Sequence, residues 1–282
     1  MSSTSQTNTS VRAGSGRRIS LAAMCRARAV AEIKAFLRQK ESVVFTLAFP
    51  VIMLVLFGTI FGSNKADGGI NFATYFVPGM IGAGILASSF QTLAIQIPIE
   101  RDDGLLKRLR GTPMPKAAYF IGKVAMVLFV MLLEIILLTV VGMIMFGLKL
   151  PVDANHWLVL IALVLLGTTT LTLLGIAFSS LPRTGSSAPA LVTPIALVLQ
   201  FISGVFFPFY QLPTWLQEVA AIFPLKWLTQ GLRYAFLPDA AKGNEPAGAW
   251  ELGKVFGMLG LWAVIGMVLC LLTFRWRSSN DG

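Results

Sequence analysis

Six long runs of apolar residues constrain this fold more than any other feature of the sequence. They cover residues 43–61, 72–97, 119–148, 157–181, 188–209 and 252–274. An α-helix rises about 1.5 Å per residue, so about 20 apolar residues cross the hydrocarbon core of a bilayer. The strands of a membrane barrel would instead alternate in polarity over about 10 residues, and these runs do not. The sequence therefore predicts an all-α, polytopic membrane protein with six transmembrane helices.

The overall composition agrees with burial in lipid. Hydrophobic residues make up 55% of the 282 residues and charged residues only 13%, and the mean hydropathy is +0.74. A chain with so few charges cannot cover its apolar surface as a soluble globule does. We therefore expect lipid to cover much of the surface.

The lysines and arginines fall mainly on one predicted side of the membrane. Seventeen of the 23 precede the first run, lie between the second run and the start of the third, or follow the fourth and sixth runs. The positive-inside rule assigns this side to the cytoplasm. We therefore expect a multi-pass protein of the cell membrane with both termini cytoplasmic, including a disordered arm over residues 1–20 and a tail over 278–282. The net charge of +10 then needs no nucleic acid to explain it.

An interfacial helix is predicted ahead of the first run. Residues 21–40 contain no proline or glycine and are rich in alanine, leucine and arginine, which favour helix. Cys25, Ile33 and Phe36 share one side of this helix, and Lys34 and Arg38 lie opposite. The pattern predicts an imperfect amphipathic helix on the membrane surface. The alternative is a charged lead-in that only sets the topology.

A second short helix is predicted on the same side, between the second and third runs. Residues 104–110 carry the sequence GLLKRLR. Asp102 or Asp103 is placed to cap the start, and Gly111 with Pro113 is placed to end it. Such a helix, held at the mouth of the bundle, is a shape that another protein can bind.

The 42 residues from 210 to 251 are too interrupted to be interpreted as a transmembrane span. Pro213, Pro224 and Pro238 break every apolar stretch in this segment. We predict one or two short helices on the outer face, lying in the interface or re-entering the membrane, where tryptophans are favoured.

No catalytic or metal-binding constellation is present in the sequence. It contains no phosphate-binding loop, no zinc motif and no nucleophile elbow. His156 is the only histidine, and Cys25 and Cys270 are the only cysteines, which we expect to be free thiols. We therefore predict no catalytic residues, no metal site and no cofactor bound by this chain.

Three polar residues at similar predicted depth are candidates for a substrate path. Glu134, Thr169 and Gln200 lie near the middle of the third, fourth and fifth runs. A charged group at the centre of a membrane helix costs about 2.5–3.5 kcal/mol on insertion scales, so such residues usually face the bundle or a wet cavity. The alternative is that Glu134 only packs, and that the threonine bonds to its own helix.

Two motif regions accompany this order of segments. The first lies in RDDGLLKRLRGTPMPKAAYFIGK, which starts at Arg101. The second lies in SGVFFPFYQLPTWLQEVAAIFPLKWLTQGLRYAF, which starts at Ser203. Together with the order of the segments, they resemble the permease subunit of type 2 ABC exporters, most closely the daunorubicin-resistance-like branch. The resemblance covers about residues 21–277.

The resemblance implies a dimer of permeases, with a second copy or a paralogue, on separate ABC ATPase subunits that bind ATP and magnesium. It implies that the amphipathic helix lines the ATPase interface. It also implies a coupling helix and an outer gate. The coupling residues would be Asp103, Gly104, Leu105, Leu106, Lys107, Arg108 and Leu109. The gate residues would be Phe207, Pro208, Pro213, Trp215 and Pro224.

The function implied is ATP-driven export of an amphipathic drug-like molecule, antibiotic or lipid by alternating access. Polysaccharide export by the same fold is one alternative. An ion-driven secondary carrier is another, although such carriers usually show internal repeats or several intramembrane ionisable groups. A membrane-bound enzyme would need more convergent histidine and carboxylate side chains.

Overall fold

A computed structural model describes residues 20–62, 65–66, 70–111, 114–151 and 153–273. The predicted arm, apart from Ser20, and the predicted tail lie outside these residues, as does the end of the sixth run at Phe274. The described chain is helical apart from loops and a two-residue antiparallel ladder between Lys65–Ala66 and Ile70–Asn71. The prediction of an all-α membrane protein is confirmed.

Eleven α-helices are described, with one π-helical turn and two 3₁₀ turns. The helices are α1 Leu21–Arg38, α2 Lys40–Phe61, α3 Phe72–Leu86, α4 Thr92–Asp102, α5 Leu105–Arg110, α6 Lys116–Phe146, α7 Ala154–Phe178, α8 Ala188–Ile202, α9 Thr214–Ile222, α10 Pro224–Phe236 and α11 Leu252–Thr273. The π turn, Ala87–Gln91, joins α3 to α4, and the 3₁₀ turns are Phe209–Gln211 and Asp239–Asn244.

Five of these segments are long and apolar enough to cross a membrane. They are α2, the continuous helix Phe72–Asp102, α6 from Ala117, α7 and α11. The fifth predicted span, 188–209, is instead the 15-residue helix α8, followed by bends over residues 203–207. At about 1.5 Å per residue α8 is shorter than the hydrocarbon core. Five of the six predicted spans are therefore present as long helices, and the count of six stays a prediction.

The helix Phe72–Asp102 forms the centre of the bundle. Its most apolar window is 72% buried, against 17% for α2 and α11, and α3 packs against α2, α6, α7 and α10. Small residues permit this close packing: a Cβ atom on Gly82 would lie 2.7 Å from Cγ2 of Thr229 on α10. The helix therefore runs through the protein, surrounded by others.

The predicted outer segment contains two short helices, α9 and α10, as expected. However, α10 is buried along almost its whole length and packs between α3, α7 and α11. Trp215 is exposed, but Trp227 and Trp250 are each 7% exposed. Their indole nitrogens donate to Ala221 O and Asp239 Oδ1. Trp227 and Trp250 thus pack inside the protein, and of these three tryptophans only Trp215 is exposed.

The bundle has two ends. At the α5 end, α4 leads into α5, α6 begins and α1 packs along α6. At the α10 end, α3, α7 and α11 begin, and α9 and α10 pack against the bundle.

Candidate functional site

The predicted coupling helix is present as α5, but it begins one residue later than expected. Gly104 precedes it in the left-handed conformation, with φ of 72°, where a side chain would be strained. The predicted cap at the start by Asp102 or Asp103 is wrong, because no side-chain oxygen caps that end, whereas the helix ends before Gly111 as predicted. Instead the Asp102 carboxylate accepts the backbone N–H of Gly185 over 2.6 Å. Asp103 ends α4.

The side chains of α5 divide between the bundle and the surface. Leu106 is only 1% exposed, so it anchors α5 to the rest of the chain. Lys107 and Arg108 are exposed, while Leu105 and Leu109 are half-buried. The exposed cations are therefore better placed than Leu106 to contact another protein. Pro113, which was predicted to end this segment, lies outside the described residues.

The end of α4 is joined to the loop between α7 and α8. The Arg101 guanidinium donates to Pro182 O over 3.0 Å, beside the bond from Gly185 to Asp102. Gly185 lies so close to α4 that a Cβ atom on it would be 2.7 Å from Cα of Ile99. A displacement of α4 and α5 would therefore move this loop and, through it, the start of α8.

A buried ionic cluster joins α1, α4 and α6 at the same end. Lys123 of α6 is 0% exposed, and its Nζ lies 3.1 Å from Oε2 of Glu32 on α1. It also pairs with Glu100 of α4, whose Oε2 accepts from the Tyr119 hydroxyl over 2.8 Å. Arg28, one turn before Glu32, pairs with that carboxylate. These five residues are the Lys123 cluster.

The Lys123 cluster was not predicted as a site from the sequence. The available signal was Lys123 itself, because it interrupts the third apolar run and a buried lysine needs an acidic partner. The partner was not predictable, since Glu32 lies 91 positions earlier on a helix expected to bury only apolar residues. Glu32 is 7% exposed, whereas Val30 and Leu37 of α1 are exposed.

The three residues of the predicted substrate path are not brought together. Glu134 is 2% exposed and its carboxyl group lies against Gly84 of α3. Thr169 is exposed and donates to Leu165 O of its own helix. Gln200 is 9% exposed on α8. Among the described residues no hydrogen bond joins any two of the three.

A polar contact between α8 and the π turn was missed by the sequence analysis. Nε2 of Gln91 lies 3.5 Å from Oγ1 of Thr193, and this pair reaches the protein surface. The buried side of α8 is one narrow stripe of Ala188, Val192, Ala196 and Gln200. Thr193 lies outside that stripe. A face that meets only lipid would be expected to carry apolar side chains, so this surface is more polar than a lipid-facing one.

The predicted gate residues occupy the α10 end and differ in exposure. Pro208 and Pro224 are buried, the latter at the start of α10. Phe207, Pro213 and Trp215 are exposed, with Pro213 immediately ahead of α9. The set is thus split between a packed core and an outer surface.

A second buried ion pair, also missed, holds the α10 end together. Arg233 of α10 is 1% exposed and its Nη1 lies 3.1 Å from Oε1 of Glu245. The guanidinium also donates to Gly204 O and stacks on the Tyr75 ring at 4.2 Å. Arg233 therefore connects α10 to α3, to the bend after α8 and to the segment before α11.

Lys226 lies near this pair, one turn from Gln230, with which it hydrogen-bonds. Its ammonium nitrogen lies 3.8 Å from the centre of the Trp227 ring system. Burial lowers the pKa of Lys226 to about 8, and the Glu245 and Glu251 carboxylates oppose that shift. Among the described residues no group of three histidine, cysteine or acidic side chains could hold a metal ion.

Comparison with known proteins gives consistent matches. Residues 25–237 match the family model described as ABC-2 type transporter. The inner membrane transport permease YadH of Escherichia coli is 28% identical over 80% of this chain and 85% of its own length. A protein of Porphyra purpurea named as a transport permease, ycf38, is 26% identical over 77% of each chain. The protein named "Probable multidrug ABC transporter permease YbhR", of Escherichia coli, is 24% identical over 67% of this chain and 50% of its own.

Proposed function

The chain belongs to the ABC-2 type transporter family and is the membrane subunit of an ABC transporter, and from this premise we propose that it is an exporter permease driven by a separate ABC ATPase subunit. In this proposal α5 is the coupling helix, and ATP with magnesium binds to the partner. The permease moves an amphipathic drug-like, antibiotic or lipid substrate out of the cytoplasm or inner leaflet by alternating access.

The coupling proposal rests on how α5 is attached to the rest of the membrane domain. It continues from the central helix of the bundle, is anchored by the buried Leu106, and presents Lys107 and Arg108 at the surface. The preceding turn is bonded to α6 through Glu100 and to the α7–α8 loop through Asp102. A push on α5 would therefore reach the core of the membrane domain directly.

The distribution of charge supports a cytoplasmic α5 end. Most lysines and arginines belong to segments that meet at that end, which agrees with the positive-inside rule. The α10 end then faces outward, and α9 and α10 form the outer gate. The exposed Phe207 and Trp215 suit contact with a substrate or an outer leaflet at that end.

A second permease copy, or a paralogue, would complete the path. The narrow buried stripe of α8 leaves most of that helix uncovered, and Gln91 with Thr193 adds polar groups to the same surface. A helix too short to span alone is better accommodated against protein than against lipid. We assign this face to the boundary between two permeases, where the substrate passes.

Two observations support the proposed class of substrate. YbhR is named as a multidrug permease. The surface of α8 that is assigned to the path carries apolar side chains such as Leu197 and Val198, with the uncharged pair of Gln91 and Thr193 beside them. Such a surface suits an amphipathic molecule better than a long polysaccharide, which needs a continuous polar channel.

Isolation of the tagged chain from its native membrane tests the proposal. We expect an ABC ATPase to co-purify in a complex with two permeases. In proteoliposomes, amphipathic compounds should stimulate its ATP hydrolysis and be transported. A permease that purifies without an ATPase, and whose transport depends on an ion gradient instead, would contradict the proposal.

A further inference from the structure

We propose that the Lys123 cluster is a joint that makes the interfacial helix α1 and the segment leading into α5 move as one body, with Glu32, Glu100 and Lys123 as positioning residues. The inference rests on the proposed coupling role of α5. It adds a route from the ATPase to the membrane domain through α1, joined to the route through α5 by one buried ammonium group.

The geometry singles out Lys123 as the central member. Its ammonium nitrogen contacts carboxylates from two different helices, Glu32 of α1 and Glu100 of α4, and it is 0% exposed. Glu100 lies only five residues before Leu105, the first residue of α5. Lys123 therefore links α1 to the approach of α5.

The helix α1 is held closely against α6 around this joint. A Cβ atom on Gly122 would lie 2.6 Å from Cγ of Arg28, so the backbone of α6 approaches α1 without an intervening side chain. Phe36 of α1 forms an apolar cluster with Met126 and Val130 of α6 on the other side of Lys123. The ionic contacts thus lie within a packed α1–α6 interface.

Stability alone does not account for an ionic joint at this place. The two cations and two carboxylates give the cluster a net charge of zero. Removing four charges from water nevertheless costs free energy, and the attraction between the charges often does no more than offset that cost. Apolar residues of similar volume commonly stabilise such a position equally well. Charged and hydrogen-bonded groups add one defined register between the helices. Apolar contacts alone would allow the helices to slide past one another.

The mechanical consequence concerns both predicted ATPase contacts. Helix α1 presents the exposed Arg26 and Lys34 away from α6, and α5 presents Lys107 and Arg108. If the ATPase touches both helices, a rigid joint makes α1 and α5 move together, and that movement is transmitted to α6. Without the joint, α5 could follow the ATPase while α1 and α6 lag behind.

Two variants separate this role from folding. Lys123→Met leaves Glu100 buried without its cation, so it should destabilise the permease. Lys123→Met combined with Glu100→Gln removes that uncompensated charge, and the amide can still accept the Tyr119 hydroxyl. The double variant should therefore be stable yet lack the ionic link. Lys254→Met is the matched control, because Lys254 forms an exposed pair with Glu251.

The first measurement uses the purified permease–ATPase complex in proteoliposomes. For the double variant we expect a wild-type melting temperature and ATP hydrolysis within about twofold of wild type. We also expect about tenfold less transport per ATP hydrolysed, a size typical of coupling between sites. Lys254→Met should match wild type. Wild-type transport per ATP in the double variant would overturn the proposal.

The second measurement needs no ATPase. Spin labels at Ala27→Cys and Gly111→Cys, with Cys25 and Cys270 replaced by serine, report the distance between α1 and the end of α5. We expect one narrow distance in the parent and a broad or shifted one in the double variant. An unchanged distance distribution in the double variant would overturn the proposal, even if the permease–ATPase complex failed to assemble.

The proposed function fails on a different result. A parent complex that neither hydrolysed ATP nor transported substrate would contradict the proposed function and not the joint.

Discussion

The backbone N–H of Gly185 donates to the Asp102 carboxylate over 2.6 Å, joining the loop between α7 and α8 to the last residue of α4. This bond lies three residues before α5 begins and three residues before α8 begins. It therefore joins the approach to the proposed coupling helix to the approach to α8, the helix that carries Thr193.

The first prediction concerns that connection. Gly185→Ala places a Cβ atom 2.7 Å from the α4 backbone at Ile99, which must move apart at a cost of about 1–3 kcal/mol. Asp102→Ala removes the acceptor without adding bulk. We expect both variants to hydrolyse ATP but to transport several-fold less per ATP, with Asp102→Asn nearer to wild type. Wild-type transport per ATP in all three variants would show that the connection between α4 and the α7–α8 loop has no role in transport.

The second prediction tests orientation by thiol labelling in intact cells. Lys242 and Arg108 are both exposed, at the α10 and α5 ends respectively. With Cys25 and Cys270 replaced by serine, a cysteine at 242 should react with an impermeant reagent from outside. A cysteine at 108 should react only after permeabilisation. The reverse pattern would invert the proposed topology.

The third prediction concerns the buried pair at the α10 end. Arg233→Gln leaves the buried Glu245 carboxylate without its cation, so we expect a loss of about 3–5 kcal/mol in stability. Adding Glu245→Gln removes the uncompensated charge and should restore much of that loss. Thermal melting of the permease in detergent measures both. A double variant no more stable than Arg233→Gln alone would mean that the ion pair is not the source of the loss.

The fourth prediction concerns Glu134. Both of its carboxylate oxygens are buried without a hydrogen-bond partner in the described structure, against Gly84. Glu134→Leu removes an unsatisfied buried polar group, so its stability should equal or exceed that of wild type. If the carboxyl group has a transport role, Glu134→Gln should slow the transport of cationic compounds at matched expression. Wild-type rates for cationic and neutral compounds in both variants would restrict Glu134 to packing.

The sequence predicted what depends on local composition and on distance along the chain. Apolar run length identified five spans, and Gly111 was correctly predicted to end the short helix before the third span. Proline positions identified the segment holding α9 and α10. What it missed depends on partners far apart in the chain: Asp102 bonds Gly185 instead of capping α5, and Lys123 pairs with Glu32 across 91 positions. Nor could periodicity show that α10 is buried, since its polar Arg233 is satisfied by Glu245.

The role of α5 as the coupling helix is tested by measuring ATP-coupled transport in a complex that is altered only at the surface of α5. Lys107→Glu combined with Arg108→Glu reverses two exposed charges and leaves the buried anchor Leu106 intact. Lys242→Glu, at the opposite end, is the matched control. We expect the control to behave as wild type, while the α5 variant inserts and melts normally but loses the ATPase partner or its substrate-stimulated hydrolysis and transport. Full association, stimulation and transport in the α5 variant would show that α5 is not the coupling helix.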